Sequence, residues 1–321
     1  MKKHLSAALG GLVATATFFG GMVGHDPAAQ AADVACDNYS SSNSDCVNTQ
    51  IVIAGTSHSA DWYLPRTTAS ALMVLNHGFS RGCGNLRGTS KAIAEQGVMV
   101  LCVNGDMTAG NPGLADALGD LMTQRALVPP NGTPLPQRYI VGGHSAGGHF
   151  ASELGARLVA NGYPDLAGAI LFDPVASGDF SANLAAIADG TARPVLAVTA
   201  RPSVTNLFNN SHGALVGLDS DYVGVQLVWS KYTWGVPSGG SCHIDVEGED
   251  SDVIGVLGAG CSASTTQTAR LRDFAATWAR DLATGGRTAA YYCADAEVIS
   301  TCGSQVRALV DRSLPLAAPI R

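Results

Sequence analysis

The sequence of 321 residues predicts an α/β fold in which helices cover both faces of a doubly wound, mostly parallel β-sheet. The first observation is a series of continuous apolar runs of strand length, as strands covered on both faces require. The second is that segments with helical spacing alternate with these runs, which is typical of β–α–β units. The third is composition, because 46% hydrophobic and only 14% charged residues exclude a disordered chain.

The predicted elements begin with two short antiparallel strands, at 50–54 and 60–64. Buried strands are then predicted at 71–76, 98–103, 138–141, 166–172, 194–199 and 222–229. Helices are predicted at 89–96, 114–127, 146–160 and 271–282, the last from apolar residues that recur at helical intervals. The segment 174–193 has room for one short helix only, so no large lid domain is expected.

The first 31 residues are predicted to be a signal peptide rather than part of the fold. Lys2 and Lys3 form a basic head, residues 5–23 are apolar and uncharged, and small residues at 29–31 suit a signal peptidase. A membrane anchor is the alternative, but no basic flank follows, and no later segment approaches the roughly 20 apolar residues that a span requires. We therefore expect an exported protein without a stable membrane anchor, with one domain over 32–285 and a C-terminal tail over 286–321 packed on it.

Charge and cysteine content narrow the possible partners. The net charge of −7 is spread without basic clusters, which argues against a nucleic-acid partner. None of the eight cysteines forms a Cys-x-x-Cys pair, so the usual zinc and redox motifs are missing. An even number in an exported chain indicates disulfides, although the sequence alone does not determine the connectivity. Pairing in chain order is favoured because it closes short loops: Cys36–Cys46, Cys83–Cys102, Cys242–Cys261 and Cys293–Cys302.

A candidate nucleophile lies in residues 143–147, with the sequence GHSAG. A Gly-x-Ser-x-Gly segment turns a strand sharply into a helix and leaves the serine hydroxyl exposed at the turn. Ser145 follows the apolar run 139–141 and opens directly into the predicted helix. A second match, at 78–82 (GFSRG), contains Ser80, but glycines keep the chain irregular after it. Ser145 is therefore the predicted nucleophile.

A serine nucleophile needs a histidine base, and in this kind of fold the chain order is serine, acid, histidine. Two histidines, His212 and His243, follow the strand predicted at 166–172. His243 is favoured because it lies beyond the strand predicted at 222–229, where a loop can return to the serine. His212 lies in an Asn- and Ser-rich segment and is interpreted as a surface residue.

The acid that orients the base is predicted to be Asp173. It directly follows the strand predicted at 166–172, so it lies at the carboxyl edge of the sheet, where sites on open α/β sheets assemble. The alternatives are Asp219 and Asp221, which precede the strand predicted at 222–229, and Asp245, which lies two residues after His243.

Three segments carry a resemblance to a known family: 76–79 (NHGF), 143–148 (GHSAGG) and 172–175 (FDPV). The chain resembles α/β-hydrolases, and among them the chlorophyllase-like and bacterial polyesterase or cutinase-type secreted esterases. Chlorophyllase-like enzymes place their acid in such an Asp-Pro-Val segment. The polyesterases more often place it after the next strand, where this sequence has no carboxylate. The resemblance implies an oxyanion hole formed by the backbone N–H groups of Phe79 and Ala146, with the Phe79 ring lining the acyl pocket.

These observations predict a secreted serine carboxylic-ester hydrolase that works through an acyl-enzyme with Ser145, His243 and Asp173 as its triad. The absence of a lid predicts an open site for bulky, polymeric or lipid-like esters. The alternatives are a serine peptidase or acyltransferase with the same residues, and a non-catalytic secreted binding protein. A monomer is expected.

The sequence also offers further candidate binding residues. Phe79, His144 and Trp234 are predicted to contact substrate, Trp234 as part of an aromatic wall near His243. No cofactor and no metal site are predicted. Carboxylate oxygens can bind calcium, but the acidic loop is interpreted as solvated; its members are Glu247, Glu249, Asp250 and Asp252.

Overall fold

The structure, a computed structural model, describes residues 36–248, 261 and 263–321. The predicted signal peptide, 1–31, and three members of the acidic loop (Glu249, Asp250 and Asp252) lie outside the described residues. The strands are β1 Ser44–Ile53, β2 Thr56–Pro65, β3 Ala71–Asn76, β4 Val98–Val103, β5 Tyr139–His144, β6 Leu166–Phe172, β7 Val195–Thr199, β8 Gly224–Leu227, β9 Trp229–Thr233, β10 Val236–Gly240 and β11 Ala317–Ile320. The α-helices are α1 Arg87–Ala94, α2 Pro112–Thr123, α3 Ala146–Ala160, α4 Phe180–Ala188, α5 His212–Val216, α6 Thr265–Thr284 and α7 Ser304–Val310.

Within the described residues, nine strands form one sheet in the order β1-β2-β4-β3-β5-β6-β7-β8-β11. The strands from β4 across to β8 run parallel, as their apolar sequences predict. The antiparallel pairs lie at the two edges, where β2 pairs with β1 and β4, and β11 pairs with β8. The α/β fold with a mostly parallel sheet is therefore confirmed.

The central strands are buried because helices cover both faces of the sheet. Alternate side chains of a strand point to opposite faces. Met73 and Ile140 face one side and pack in the cluster that contains Phe274 and Trp278 of α6. Val74 and Val141 face the other side, in the cluster that contains Phe150 of α3. Packing on both faces fixes the positions of the carboxyl ends of β5, β6 and β7 relative to one another.

Two regions differ from the predicted elements. The strand predicted at 222–229 divides into β8 and β9, because the N–H groups of Val228 and Trp229 both donate to the carbonyl of Leu316 and so interrupt the ladder. Strands β9 and β10 then form a separate hairpin. The segment 286–321, expected as a tail packed on the domain, also contributes β11 to the sheet edge.

The cysteines pair in chain order, as predicted. The bonds are Cys36–Cys46, Cys83–Cys102, Cys242–Cys261 and Cys293–Cys302. No helix among the described residues is long and apolar enough to cross a membrane. Between β6 and β7 the chain forms only the nine-residue helix α4, which agrees with the predicted lack of a lid domain.

Candidate active site

Ser145 lies at the sharp turn between β5 and α3. Its backbone has φ 57° and ψ −125°, a strained conformation for a residue with a side chain. Glycine is required two residues before Ser145, because a Cβ on Gly143 would lie 2.0 Å from the carbonyl oxygen of Gly147. The sequence pattern therefore produces the strand–turn–helix geometry that presents a serine hydroxyl at the end of a sheet.

Asp173 follows β6 directly and is almost fully buried. Its N–H donates to Val198 of the neighbouring strand at 2.8 Å, which keeps the residue at the sheet edge. Its Oδ1 accepts from the N–H of Ala200 at 3.0 Å, and its Oδ2 accepts from the Asn206 side chain at 2.9 Å. These donors compensate the cost of burying the carboxylate and fix its orientation.

His243 begins a 3₁₀ turn, His243–Val246, directly after Cys242. Its Nδ1 lies 2.6 Å from Asp173 Oδ2. Its ring centroid is 4.4 Å from that of His144, the residue before Ser145. Among the hydrogen bonds of the described residues, none joins the side chains of Ser145 and His243. In active sites without substrate such bonds are often long, and they shorten when substrate binds.

The loop after β3 lies directly over Ser145. A Cβ on Gly78 would be 2.8 Å from the Cβ of Ser145, so only glycine permits this approach. Phe79 follows it and lines the same cleft as Ser145 and Ala146. The N–H of Ala146 is at the first position of α3 and has no partner within the helix. His77 Nδ1 donates to the carbonyl of Gly78 at 2.9 Å, which steadies the loop.

The cleft at Ser145 has a volume of about 330 Å³ and opens to solvent. Its lining is formed by Phe79, Ala109, Gly110, Ser145, Ala146, His149, Val175, Ala176, Ser177, Thr205 and Leu207. The exposed fractions of Phe79 and Leu207 are 60% and 53%. Two residues predicted to contact substrate are placed elsewhere. Trp234 is 98% exposed at the tip of the β9–β10 hairpin, and His144 is buried behind Ser145.

The alternative site residues lie apart from this cleft. His212, Asp219 and Asp221 are exposed and line a different surface depression. Asp245 is buried, but its carboxylate accepts from the N–H groups of Cys242, at 2.6 Å, and Ser264, so it holds the turn after His243. Ser80 lies in an exposed turn that leads into a 3₁₀ segment, and the α-helix α1 begins only at Arg87.

Three residues, Asn206, Glu247 and Arg81, support the site although the sequence predicted no role for them there. Asn206, fully buried, orients Asp173 and also accepts from the N–H of Ser203 at 2.8 Å. Glu247, interpreted from the sequence as a solvated member of the acidic loop, is buried and bound by Arg81. Burial opposes ionisation of Glu247, but the nearby imidazole of His144 and the guanidinium of Arg81 lower its pKa to about 2. For Asn206 the sequence signal was composition, because the segment 203–210 is rich in Asn, whereas Arg81 and Glu247 had no such signal.

The strand order and the serine turn between β5 and α3 together define the α/β-hydrolase fold. No family model and no curated protein sequence matches the chain. Among solved structures it is similar to carboxyl esterase 2 of the mycorrhizal fungus Tuber melanosporum, with 13% identity, a TM-score of 0.49, and coverage of 75% of this chain and 87% of the other.

Two further solved structures are similar to the chain. Esterase Est22 has 15% identity and a TM-score of 0.47 over 78% of this chain and 85% of the other. A thermostable esterase of Pseudomonas putida has 14% identity and a TM-score of 0.42 over 55% and 70%. Similarities at this level of identity and TM-score carry no information about function beyond the geometry of the site.

Proposed function

We propose that this protein is an exported serine carboxylic-ester hydrolase that works through an acyl-enzyme. The observation that carries the proposal is the 2.6 Å contact between His243 Nδ1 and Asp173 Oδ2, beside the strained turn at Ser145. A hydroxyl at a strand–helix turn, an imidazole and a buried carboxylate are the groups that acyl transfer needs. Four disulfides, which persist in oxidising compartments, support export.

In this mechanism His243 donates its Nδ1–H to Asp173, which leaves Nε2 as the base. Nε2 accepts the proton of Ser145 Oγ while Oγ attacks the ester carbonyl carbon. The carbonyl oxygen becomes negative, and the N–H groups of Phe79 and Ala146 stabilise it. The imidazolium then protonates the leaving alcohol. Water, deprotonated by the same imidazole, attacks the acyl-enzyme and releases the acid.

The surroundings of the cleft support esters with bulky apolar groups. Besides Phe79 and Leu207, the adjoining Val204 and Phe208 are 73% and 70% exposed. An exposed apolar rim of this kind favours binding of apolar molecules or surfaces. The segment between β6 and β7 contains only the nine-residue helix α4, so no large insertion is available there to cover the cleft. We therefore propose polymeric or lipid-like esters as the substrate class, without activation at an interface.

The test is a hydrolysis screen from short to long nitrophenyl esters and polyester films. Ser145→Ala is expected to lower kcat by at least about 10³-fold, whereas Ser80→Ala, in the second Gly-x-Ser-x-Gly segment, keeps most of the activity. Activity that survives in Ser145→Ala would refute the proposal. Peptide amides and alcohol acceptors in the same screen identify a peptidase or an acyltransferase, and no turnover of any acyl compound by the wild type identifies a binding protein.

A further inference from the structure

Glu247 is a buried carboxylate that the proposed reaction does not use. It lies four residues after His243, just beyond the 3₁₀ turn, and is 1% exposed. Its backbone carbonyl accepts from the hydroxyl of Thr89 in α1 at 3.3 Å. Burying a carboxylate is unfavourable unless charged or polar partners compensate it, so the partners of Glu247 indicate its role.

Arg81 is the first partner. Its Nε donates to Glu247 Oε1 at 2.9 Å and its Nη2 to Oε2 at 2.6 Å, a two-point contact of fixed geometry. Arg81 belongs to the turn that follows Phe79, and its N–H donates to the carbonyl of Gly78 at 3.2 Å. The ion pair therefore joins the loop that carries one proposed oxyanion donor to the turn that carries His243.

His144 is the second partner. Its Nδ1 lies 3.6 Å from Glu247 Oε1, and its Nε2 donates to the carbonyl of His243 at 3.0 Å. Burial lowers the pKa of the His144 imidazole, and the neighbouring carboxylate of Glu247 opposes that shift. The His144 ring is thus held between the carboxylate of Glu247 and the ring of His243. Glu247 contacts both sides of the site without lining the cleft.

We propose that Glu247 and Arg81 are positioning residues that hold the loop of Phe79 and the turn of His243 at the spacing that ester hydrolysis requires. This inference rests on the proposed function. Displacement of a reacting group by about 1 Å costs on the order of 10²-fold in rate. Both held groups act on the transition state more than on bound substrate, so loss of the ion pair lowers kcat and leaves KM nearly unchanged.

The experiment compares three variants by kcat and KM on a nitrophenyl ester and by thermal unfolding. Glu247→Gln removes the negative charge that Arg81 contacts at two points and is expected to lower kcat about 10- to 100-fold, with KM within about twofold. The double variant Arg81→Gln/Glu247→Gln removes both charges. It is expected to regain thermal stability relative to Glu247→Gln but not kcat. Arg81→Lys keeps the charge balance without the two-point contact, and is expected to fold with kcat lowered at least about fivefold.

The matched control is Asp61→Asn, which breaks the buried ion pair between Asp61 and Arg87, 3.1 Å apart and away from the cleft. It is expected to lower the unfolding temperature while kcat stays within about twofold. Wild-type kcat in folded Arg81→Lys, or a double variant whose kcat recovers together with its stability, overturns the positioning role. Ser145→Ala is measured in parallel, because activity in that variant refutes the proposed function, whereas an inactive Ser145→Ala beside a fully active Glu247→Gln refutes only this inference.

Discussion

Replacing Asp173 with asparagine keeps the size of the side chain and removes the carboxylate that accepts from His243 Nδ1 at 2.6 Å. An amide nitrogen in that place donates to the ring instead, which favours the tautomer with the proton on Nε2. The ring then has no free nitrogen to take the proton of Ser145. The same substitution in a serine protease triad lowers kcat by about 10⁴-fold, which corresponds to about 5.5 kcal/mol of transition-state stabilisation. We expect a loss of about 10³- to 10⁴-fold in kcat for Asp173→Asn.

The same change also affects folding, and the assay has to separate the two effects. Asp173 accepts from the N–H of Ala200 and from Asn206, and only one asparagine oxygen remains to accept. A buried donor that loses its partner costs about 1–3 kcal/mol in the free energy of unfolding. Activity is therefore measured well below the midpoint of thermal unfolding, with circular dichroism at the same temperature to establish that the variant is folded.

Two aspartates that the sequence left as alternatives are the matched controls. Asp219→Asn changes an exposed residue, and Asp245→Asn weakens the turn after His243. Asp219→Asn is expected to keep kcat, and Asp245→Asn is expected to lose stability with a much smaller change in kcat than Asp173→Asn. If folded Asp173→Asn keeps more than a tenth of the wild-type kcat, the role assigned to Asp173 is refuted.

Three further outcomes follow from the site. Asn206→Ala removes a donor to Asp173 and an acceptor for the N–H of Ser203, so it should lower kcat about tenfold and the free energy of unfolding by about 2 kcal/mol; unchanged kcat by steady-state assay would contradict this. The pKa of Glu247 is lowered from 4.5 to about 2. The ionised carboxylate therefore stabilises the folded state fully above pH 4.5, and this contribution to the free energy of unfolding, about 3 kcal/mol, is lost as the pH falls toward 2. Denaturant titrations should show this loss in the wild type and a flatter profile in Glu247→Gln; parallel profiles would refute it. Replacing Cys242 and Cys261 with serine should lower stability by about 3 kcal/mol and reduce kcat, because the bond anchors the chain directly before His243.

Much of the fold could be predicted because its central strands are buried on both faces. The strands β3, β4 and β6 and the helix α3 have the bounds that their apolar runs and helical spacing predict. The edge strand β11 and the β9–β10 hairpin could not be predicted in the same way. They are short and contain small or polar residues, and β11 pairs with a strand about 90 residues earlier. Pairing of this kind depends on the whole fold and leaves no local periodicity.

The candidate triad could be predicted because each member follows a recognisable element. Ser145 has a local pattern, and Asp173 follows an apolar strand at its carboxyl end. The supporting residues have no such signal. Glu247 has the appearance of a solvated charge in the sequence, and only the fold brings it to Arg81, 166 positions away. His144 was expected to contact substrate. It is the last residue of β5, which is buried along its whole length, and its ring packs against that of His243.

Covalent labelling of Ser145 by a fluorophosphonate tests the central claim most directly. An activated serine reacts with this reagent, whereas an ordinary hydroxyl does not, and peptide mass spectrometry locates the adduct. The account predicts one adduct per chain, on the peptide that contains Ser145, and a labelling rate at least about 10²-fold lower in His243→Gln. Labelling at another residue, or a rate that is the same with and without the imidazole of His243, would contradict it.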